Sequence, residues 1–244
     1  MIETLAVIPA RYGSTRLPGK PLLKLCDKEL ALWVWEGVRQ SALVDRVIVA
    51  TDHEAIASLI ERAGGEAMMT PSELQTGNDR VAYVAKGIPS RFVINIQGDD
   101  PMVTPAMIDP MVNALRRDSD VKLAVLAKRI ERPEEVNRQS IVKMVFDEKL
   151  RALYFSRSPI PFSGGSEVVR FKHVGPYAWR RESLFEFAAR PRTPLERAEN
   201  LEMLRVLENG EVIQCIETDI ETVEIDTAED VALFEETIKR TIQI

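Results

Sequence analysis

Strand-like and helical segments alternate through the first seventy residues, and no other feature of the chain limits its fold as strongly. Short apolar runs predict strands at Leu5–Ile8, Arg46–Ala50 and Glu66–Met69. Between these runs, apolar residues recur at helical spacing over 30–38 and 56–63. This order favours a parallel sheet with helices on both faces, in which ligands bind beyond the carboxyl ends of the strands.

The second half of the chain adds strands that favour antiparallel pairing. A turn at 147–149 predicts a hairpin between Ile141–Phe146 and Ala152–Ser156. Further strands are predicted over 92–96, 121–127, 171–179 and 211–216. We therefore expect a single domain over residues 1–244, of α/β class, with a mixed, mostly parallel sheet, helices on both faces and an antiparallel elaboration in the second half.

Helix boundaries are predicted from capping residues and from proline. His53 is placed at the start of the second helix, and Thr227 with Asp230 resembles a capping box at the start of the last one. Pro110 should kink or split the helix that follows Thr104. Other helices are predicted over 81–86, 182–189, 195–207 and 229–238, and the turn-rich segment Ser158–Ser166 is a candidate lid.

Charge and composition exclude several classes of protein. The net charge of -6 and the pI of about 5.2 argue against nucleic acid or an anionic membrane as the main partner. No apolar run is long enough to span a bilayer and the first residues lack the features of a signal peptide, so a cytoplasmic location is predicted. Cys26 and Cys215 match no metal or redox spacing and are interpreted as buried thiols.

A basic, glycine-containing loop follows the first strand, over Ile8–Leu22. It holds three cations, Arg11, Arg16 and Lys20, together with hydroxyl groups that include that of Ser14. Backbone N–H groups, hydroxyls and cations at the end of a strand suit a polyphosphate. An exposed basic turn fits the same residues, and the spacing matches neither the Walker nor the dinucleotide-binding pattern.

The acidic pair Asp99-Asp100 follows an apolar strand and should emerge at the edge of the sheet. Mg²⁺ commonly uses one or two carboxylates together with substrate phosphate oxygens, so the pair suits metal-assisted phosphate chemistry. A solvated Asp-Pro turn is the alternative. Three glutamates, Glu196, Glu199 and Glu202, recur on one predicted helix and are interpreted as a solvated face.

Six segments, in order along the chain, together resemble the 3-deoxy-manno-octulosonate (Kdo) cytidylyltransferases, or CMP-Kdo synthetases. They are Ile8–Leu22, Val49–Asp52, Thr76–Arg80, Asn95–Pro101, Ala152–Pro161 and Asp226–Asp230. The resemblance implies a Rossmann-like nucleotide-diphospho-sugar transferase fold. It also implies a Mg²⁺-dependent reaction of CTP with an acidic 3-deoxy sugar, giving a CMP-sugar for lipopolysaccharide synthesis and pyrophosphate. A homodimer is expected, with nucleotide binding in residues 1–120 and sugar binding and dimerisation in about 121–220.

The resemblance also implies roles for individual residues. Asp99 and Asp226 would bind Mg²⁺ and, with Arg11 and Lys20, form the catalytic group. The nucleotide would be bound by Pro9, Ala10, Arg11, Ser14, Lys20 and Gln97, and the sugar by Arg80, Arg157, His173, Tyr177 and Glu199. A guanidinium group, that of Arg157 or Arg80, suits the sugar carboxylate.

Several residues depart from the usual family pattern in segments that would face the sugar. Asn78 stands where threonine is usual, Asp100 where glutamate is usual, and Met203 where glutamine is usual. Pro176 and Ala178 are further departures. Two alternatives therefore stay open: the same CMP transfer to a modified acid sugar, such as the 8-amino form of Kdo or another ulosonate, and a nucleotide-binding regulator without turnover.

Overall fold

A nine-stranded mixed sheet forms the centre of the protein, with a separate two-stranded ribbon beside it. The structure is a computed structural model that describes residues 2–13, 17–74, 76–165 and 167–242. Its strands are β1 (Ile2–Pro9), β2 (Lys24–Leu25), β3 (Lys28–Glu29), β4 (Arg46–Thr51), β5 (Glu66–Met69), β6 (Ser90–Asn95), β7 (Val121–Arg129), β8 (Lys143–Phe146), β9 (Ala152–Ser156), β10 (Phe171–Arg180) and β11 (Val212–Thr218).

Eight α-helices in the described residues cover the sheet. They are α1 (Leu30–Val38), α2 (Glu54–Arg62), α3 (Gly77–Gly87), α4 (Pro105–Arg117), α5 (Arg181–Ala189), α6 (Pro194–Glu199), α7 (Met203–Glu208) and α8 (Ala228–Ile242). Two short 3-10 turns lie at Lys20–Leu22 and Pro133–Glu135. None of the helices among the described residues combines the length and the apolar character needed to cross a membrane.

The order of strands in the sheet is β11-β7-β10-β6-β1-β4-β5. The pairs β1–β4, β1–β6, β4–β5 and β7–β11 are parallel, whereas β10 runs antiparallel to both β6 and β7. The hairpin of β8 and β9 joins the sheet through β10, in antiparallel register. The predicted mixed sheet with an antiparallel elaboration in the second half is confirmed.

Strand β1 shows why both faces of the sheet are covered. Successive side chains of a strand point to opposite faces, and all four residues from Leu5 to Ile8 are fully buried. Ala6 and Ile8 pack with helices α1, α2, α4 and α8, while Leu5 and Val7 pack with α3, α5 and α7. The predicted helices on both faces are therefore confirmed, and the loops that leave the strands meet at the edge of the sheet.

Both predicted helix caps are confirmed. The Nδ1 atom of His53 accepts a hydrogen bond from the N–H of Ala55 at the start of α2. At the start of α8, the carboxylate of Asp230 accepts from the N–H of Thr227, whose hydroxyl accepts in turn from the N–H of Asp230. Each cap satisfies backbone donors that have no partner within the helix.

Three boundary predictions differ from the structure. Helix α3 starts at Gly77, four residues before its predicted start, because Thr76 and Asp79 form a capping box. The single helix predicted over 195–207 is two helices, since Asn200 adopts the left-handed conformation with φ 53° and ends α6. Helix α4 runs through Pro110 without a break, and burial of its apolar face outweighs the loss of one hydrogen bond.

Candidate active site

Loops from three parallel strands converge at one edge of the sheet. The N–H of Ala10, after β1, donates to the carbonyl oxygen of Ala50 in β4 at 2.8 Å. After β6, the chain passes so close to β1 that a Cβ atom on Gly98 would lie 2.4 Å from the carbonyl oxygen of Pro9. Only glycine permits this approach. The basic loop and the Asp99 segment are therefore neighbours in space.

Lys20 brings two distant carboxylates together. Its Nζ atom lies 2.9 Å from Oδ2 of Asp99 and 2.9 Å from Oδ1 of Asp226. The side chain of Lys20 is 13% exposed, and the two carboxylates are about one third exposed. Burial opposes the charge on Lys20, but the two carboxylates outweigh it and raise the pKa of the ammonium group.

The main chain holds Asp226 in this position. The N–H of Ile225 donates to the carbonyl oxygen of Asp99 at 2.8 Å, and Ile225 itself is fully buried. On the other side, the N–H of Asp226 donates to Asp230, the capping residue of α8. Asp226 is thus anchored from both directions, by the loop after β6 and by the first turn of α8.

A first cavity of about 470 Å³ opens beside Lys20. Seven of the residues predicted to bind the nucleotide or the metal line it, namely Pro9, Ala10, Arg11, Lys20, Gln97, Asp99 and Asp226. Leu74, Thr76, Gly77 and Arg80 also line this cavity. Ser14, Thr15 and Arg16 of the basic loop lie outside the described residues.

Arg80 lies in this first cavity, although the resemblance implied a role in the sugar site. Its side chain is 2% exposed, and one Nη atom lies 3.6 Å from the carboxylate of Asp52 while the other donates to Thr70. The Nη2 atom is buried and has no hydrogen-bond partner among the described residues. This Nη2 atom is the one that faces Asp52, so Arg80 places a buried positive charge at the lining of the first cavity.

A second cavity of about 650 Å³ adjoins the first. Arg157, His173 and Tyr177 line it, as do Glu202 and Glu224. The two cavities have only three lining residues in common within the described part of the chain, which are Gln97, Asp99 and Asp226. Asp99 and Asp226 therefore stand at the boundary between two adjacent binding spaces.

The ring of His173 stacks on that of Tyr177, with centroids 4.9 Å apart. Burial lowers the pKa of His173 to about 4, so the imidazole is neutral near pH 7. The hydroxyl of Tyr177 contacts Sδ of Met203 at 3.5 Å, which is a weak hydrogen bond. Both rings thus present neutral, aromatic surface to the second cavity.

Glu199 and Arg157 are joined to each other by hydrogen bonds. The carboxylate of Glu199 accepts from Ser156 Oγ at 2.6 Å and from the N–H of Arg157 at 2.9 Å. Arg157 in turn donates from Nε to the carbonyl oxygen of Glu199 and from Nη1 to that of Gln139. Glu199 does not line the cavity itself but fixes the position of Arg157, which does.

The predicted solvated face of three glutamates is wrong. Glu196 is 1% exposed and its carboxylate is bound in bidentate fashion by Arg205. Glu199 is bound to the β9 strand end, and Glu202 accepts from Asn78. The helix pattern alone did not show that neighbouring elements supply donors to each carboxylate.

The expectation that both carboxylates of the acidic pair emerge at the sheet edge is right for Asp99 and wrong for Asp100. Asp100 is 1% exposed and accepts from the N–H of Met102. Burial raises the pKa of its carboxyl group to about 7. The turn that exposes Asp99 therefore directs Asp100 into the interior.

Sequence reasoning missed Glu224, which lines the second cavity two residues before Asp226. Burial of its carboxyl group raises its pKa to about 7, and the negative charges of Asp99 and Asp226 contribute to the rise. A signal was present, because side chains two positions apart in an extended segment point to the same side, and the apolar Ile225 stands between them.

The residues at the boundary of the cavities suit a hard cation that also binds phosphate. Asp99 and Asp226 offer oxygen ligands, and no group of three or more histidine, cysteine or acidic side chains in the described residues forms a closed metal cage. Mg²⁺ commonly binds through one or two carboxylates and fills its other positions with water and phosphate oxygens. Lys20 already places one positive charge between the two carboxylates.

Comparison with known proteins identifies relatives over nearly the whole chain. Residues 5–225 match the family described as Cytidylyltransferase. The 3-deoxy-manno-octulosonate cytidylyltransferase of Trichlorobacter lovleyi is 41% identical over 98% of this chain and 100% of its own length. The protein of the same name from Geotalea uraniireducens is 42% identical over 98% of this chain and 100% of its own length.

Solved structures give the same result. The structure of CMP:2-keto-3-deoxy-manno-octonic acid synthetase complexed with CTP matches 98% of this chain and 99% of its own, with a TM-score of 0.93 and 36% identity. The 4-diphosphocytidyl-2C-methyl-D-erythritol synthase of Anaerococcus prevotii matches 98% of this chain and 99% of its own, with a TM-score of 0.67 and 13% identity. The second likeness shows the fold alone.

Proposed function

The chain belongs to the 3-deoxy-manno-octulosonate cytidylyltransferase family and is a nucleotidyltransferase, and from this premise we propose that it transfers CMP from CTP to Kdo. The reaction joins the anomeric hydroxyl of Kdo to the α-phosphorus of CTP and releases pyrophosphate. The observation that carries the proposal is the pair of adjacent cavities that share Gln97, Asp99 and Asp226. Two substrates bound side by side would meet at this boundary.

The first cavity suits CTP because its lining combines cationic and apolar side chains. Arg11 and Lys20 supply positive charge for the triphosphate, where the fork of an arginine and the point charge of a lysine complement each other. Leu74 and Arg80 also line this cavity, and an apolar side chain together with a guanidinium group suits a flat base with acceptor atoms. We therefore place the triphosphate toward Lys20 and the cytosine toward Arg80.

Asp99 and Asp226 would hold Mg²⁺ at the boundary, with phosphate oxygens of CTP as further ligands. When bound, the ion offsets negative charge that develops on the phosphates. The ammonium group of Lys20 has three donors, two of which bond to Asp99 and Asp226, so it could also donate to a phosphate oxygen of CTP. The chain's own contribution is to hold the two carboxylates rigidly through Ile225 and Asp230.

The second cavity suits the acid sugar. Arg157 lines it and can attract the carboxylate of the acceptor, while the ring of Tyr177 packs against a pyranose face. Both substrates are anions and repel each other. Most of the catalysis therefore comes from cations that reduce this repulsion and from side chains that orient the attacking hydroxyl in line with the leaving pyrophosphate.

A direct assay tests the proposal. Purified protein with CTP, Kdo and Mg²⁺ should release pyrophosphate, and EDTA should abolish the release. Asp99→Asn should lose most of the turnover, whereas Asp120→Asn, which changes an exposed carboxylate outside both cavities, should behave as wild type. Turnover only with the 8-amino form of Kdo or another ulosonate would identify a different acceptor. CTP binding without pyrophosphate release for any acid sugar would identify a regulator.

We further propose a single domain over residues 1–244 and a homodimer formed by residues of about 121–220. One sheet runs through both halves of the chain, which supports the single domain. Leu153, Phe162 and Val169 are 61%, 91% and 49% exposed, and all three lie in the second half. Exposed apolar residues of this size support a contact between subunits, and light scattering of wild type and Phe162→Glu would test it.

A further inference from the structure

Glu202 occupies a position from which it can act on the acceptor. It stands immediately before α7 and lines the second cavity. The Nδ2 atom of Asn78 donates to its Oε2 atom at 2.9 Å. Among the described residues, Asn78 is the only one that donates to this carboxylate, so the second oxygen is left for another donor.

Asn78 is itself fixed in orientation. It is 2% exposed and lies in the first turn of α3. Its Oδ1 atom accepts a hydrogen bond of 2.8 Å from Nδ2 of Asn95, which is 1% exposed at the end of β6. Because Asn95 occupies the carbonyl oxygen of the Asn78 amide, the NH₂ group must face Glu202. A buried chain of hydrogen bonds therefore runs from Asn95 through Asn78 to Glu202.

This chain connects the two cavities. Thr76 and Gly77, the residues that precede Asn78, line the first cavity, and Glu202 lines the second. The amide of Asn78 is neutral, so it orients the carboxylate without cancelling its charge. An ionised carboxylate accepts hydrogen bonds from hydroxyl groups and repels another carboxylate. Glu202 therefore suits the hydroxyl-bearing part of an acid sugar.

We propose that Asn78 is a positioning residue for the acceptor, which holds one oxygen of Glu202 so that the other accepts a hydrogen bond from a sugar hydroxyl. This inference rests on the proposed function, because it assumes that the second cavity binds the acid sugar. It gives a role to one of the departures from the family pattern, since the threonine usual at this position is shorter and has no amide NH₂ group. Met203, another departure, adjoins Glu202 and contacts Tyr177 of the same cavity.

A double-mutant cycle tests this role. Asn78→Ala, Glu202→Gln and the double variant are compared with wild type for kcat/KM toward Kdo at saturating CTP, and for the Kd of CTP without sugar. Asn78→Thr is a second, milder variant. Asn209→Ala is the matched control, because Asn209 donates to the carbonyl of Arg205 at the other end of α7 and lines neither cavity.

We expect Asn78→Ala to lower kcat/KM for Kdo about tenfold and Asn78→Thr to lower it less, both mainly through KM, with the Kd of CTP within about twofold of wild type. The double variant should be no worse than Glu202→Gln alone. Multiplicative losses in the double variant, or an equal weakening of CTP binding, would overturn the inference while leaving the proposed function intact. Absence of turnover in wild type would instead overturn the proposed function, and the inference with it.

Discussion

The main-chain N–H of Ile225 lies 2.8 Å from the carbonyl oxygen of Asp99 and donates a hydrogen bond to it. This backbone contact helps to set Asp226 beside Asp99, although the two residues are far apart in the sequence. Lys20 then occupies the space between the two carboxylates. Four predictions follow from this arrangement and from the packing around it.

Lys20→Met should weaken CTP binding and strengthen metal binding to the free protein. CTP loses a charge-assisted hydrogen bond, so its Kd should rise roughly ten- to hundredfold. Without nucleotide, Asp99 and Asp226 no longer have the ammonium group between them, and Mn²⁺ should bind more tightly. Calorimetry and Mn²⁺ titration by electron paramagnetic resonance measure the two effects. Lys24→Met, an exposed lysine outside both cavities, is the control, and unchanged Mn²⁺ affinity in Lys20→Met would contradict the expectation.

Gly98→Ala should damage the nucleotide site. The new Cβ atom would lie 2.4 Å from the carbonyl oxygen of Pro9. A Cβ atom and a main-chain oxygen cannot rotate away from each other, so one of the two loops must move. We expect a loss of about 1–3 kcal/mol in the free energy of unfolding and a Kd for CTP raised about tenfold or more. Gly87→Ala is the control, since its Cβ atom would meet no described atom within 4 Å. Similar CTP affinities for the two variants would count against a role for this close approach.

His173 should make the fold sensitive to mild acid. Its pKa falls from 6.5 to about 4 on folding because the imidazole is buried. Between these two values the imidazole is protonated in the unfolded chain but not in the folded chain. The contribution of His173 to stability is therefore complete above pH 6.5 and is lost progressively as the pH falls toward 4. Urea unfolding across this range should show a flatter pH dependence for His173→Phe than for wild type. Parallel curves would show that His173 titrates normally.

Arg205→Ala should destabilise the fold strongly. Arg205 and Glu196 form a bidentate pair with side chains only 9% and 1% exposed, so removal of the guanidinium leaves a buried carboxylate with only the half-exposed Arg192 as a cationic partner. The expected cost is about 3–5 kcal/mol in the free energy of unfolding. Arg240→Ala removes the partner of Glu236 in an exposed pair on α8 and should cost less than about 1 kcal/mol. Equal costs in chemical denaturation would refute the distinction between the two pairs.

Local patterns in the sequence were sufficient for much of the fold. The alternation of apolar strands and helices identified the parallel half of the sheet, and the caps at His53 and Thr227 marked two helix starts correctly. The basic loop and Asp99 were identified as candidates from their positions after strands. These features depend on backbone propensity and on the period of apolar residues, and both are properties of neighbouring residues in the chain.

Only the tertiary structure decided which polar groups become partners. The contacts of Lys20 with Asp99 and Asp226, of Asn78 with Glu202, and of Arg205 with Glu196 all join separate elements. The inward turn of Asp100 and the continuity of α4 through Pro110 likewise depend on what surrounds them. Sheet order and helix packing set these distances, and residues brought together from distant parts of the chain leave no periodic signal in the sequence.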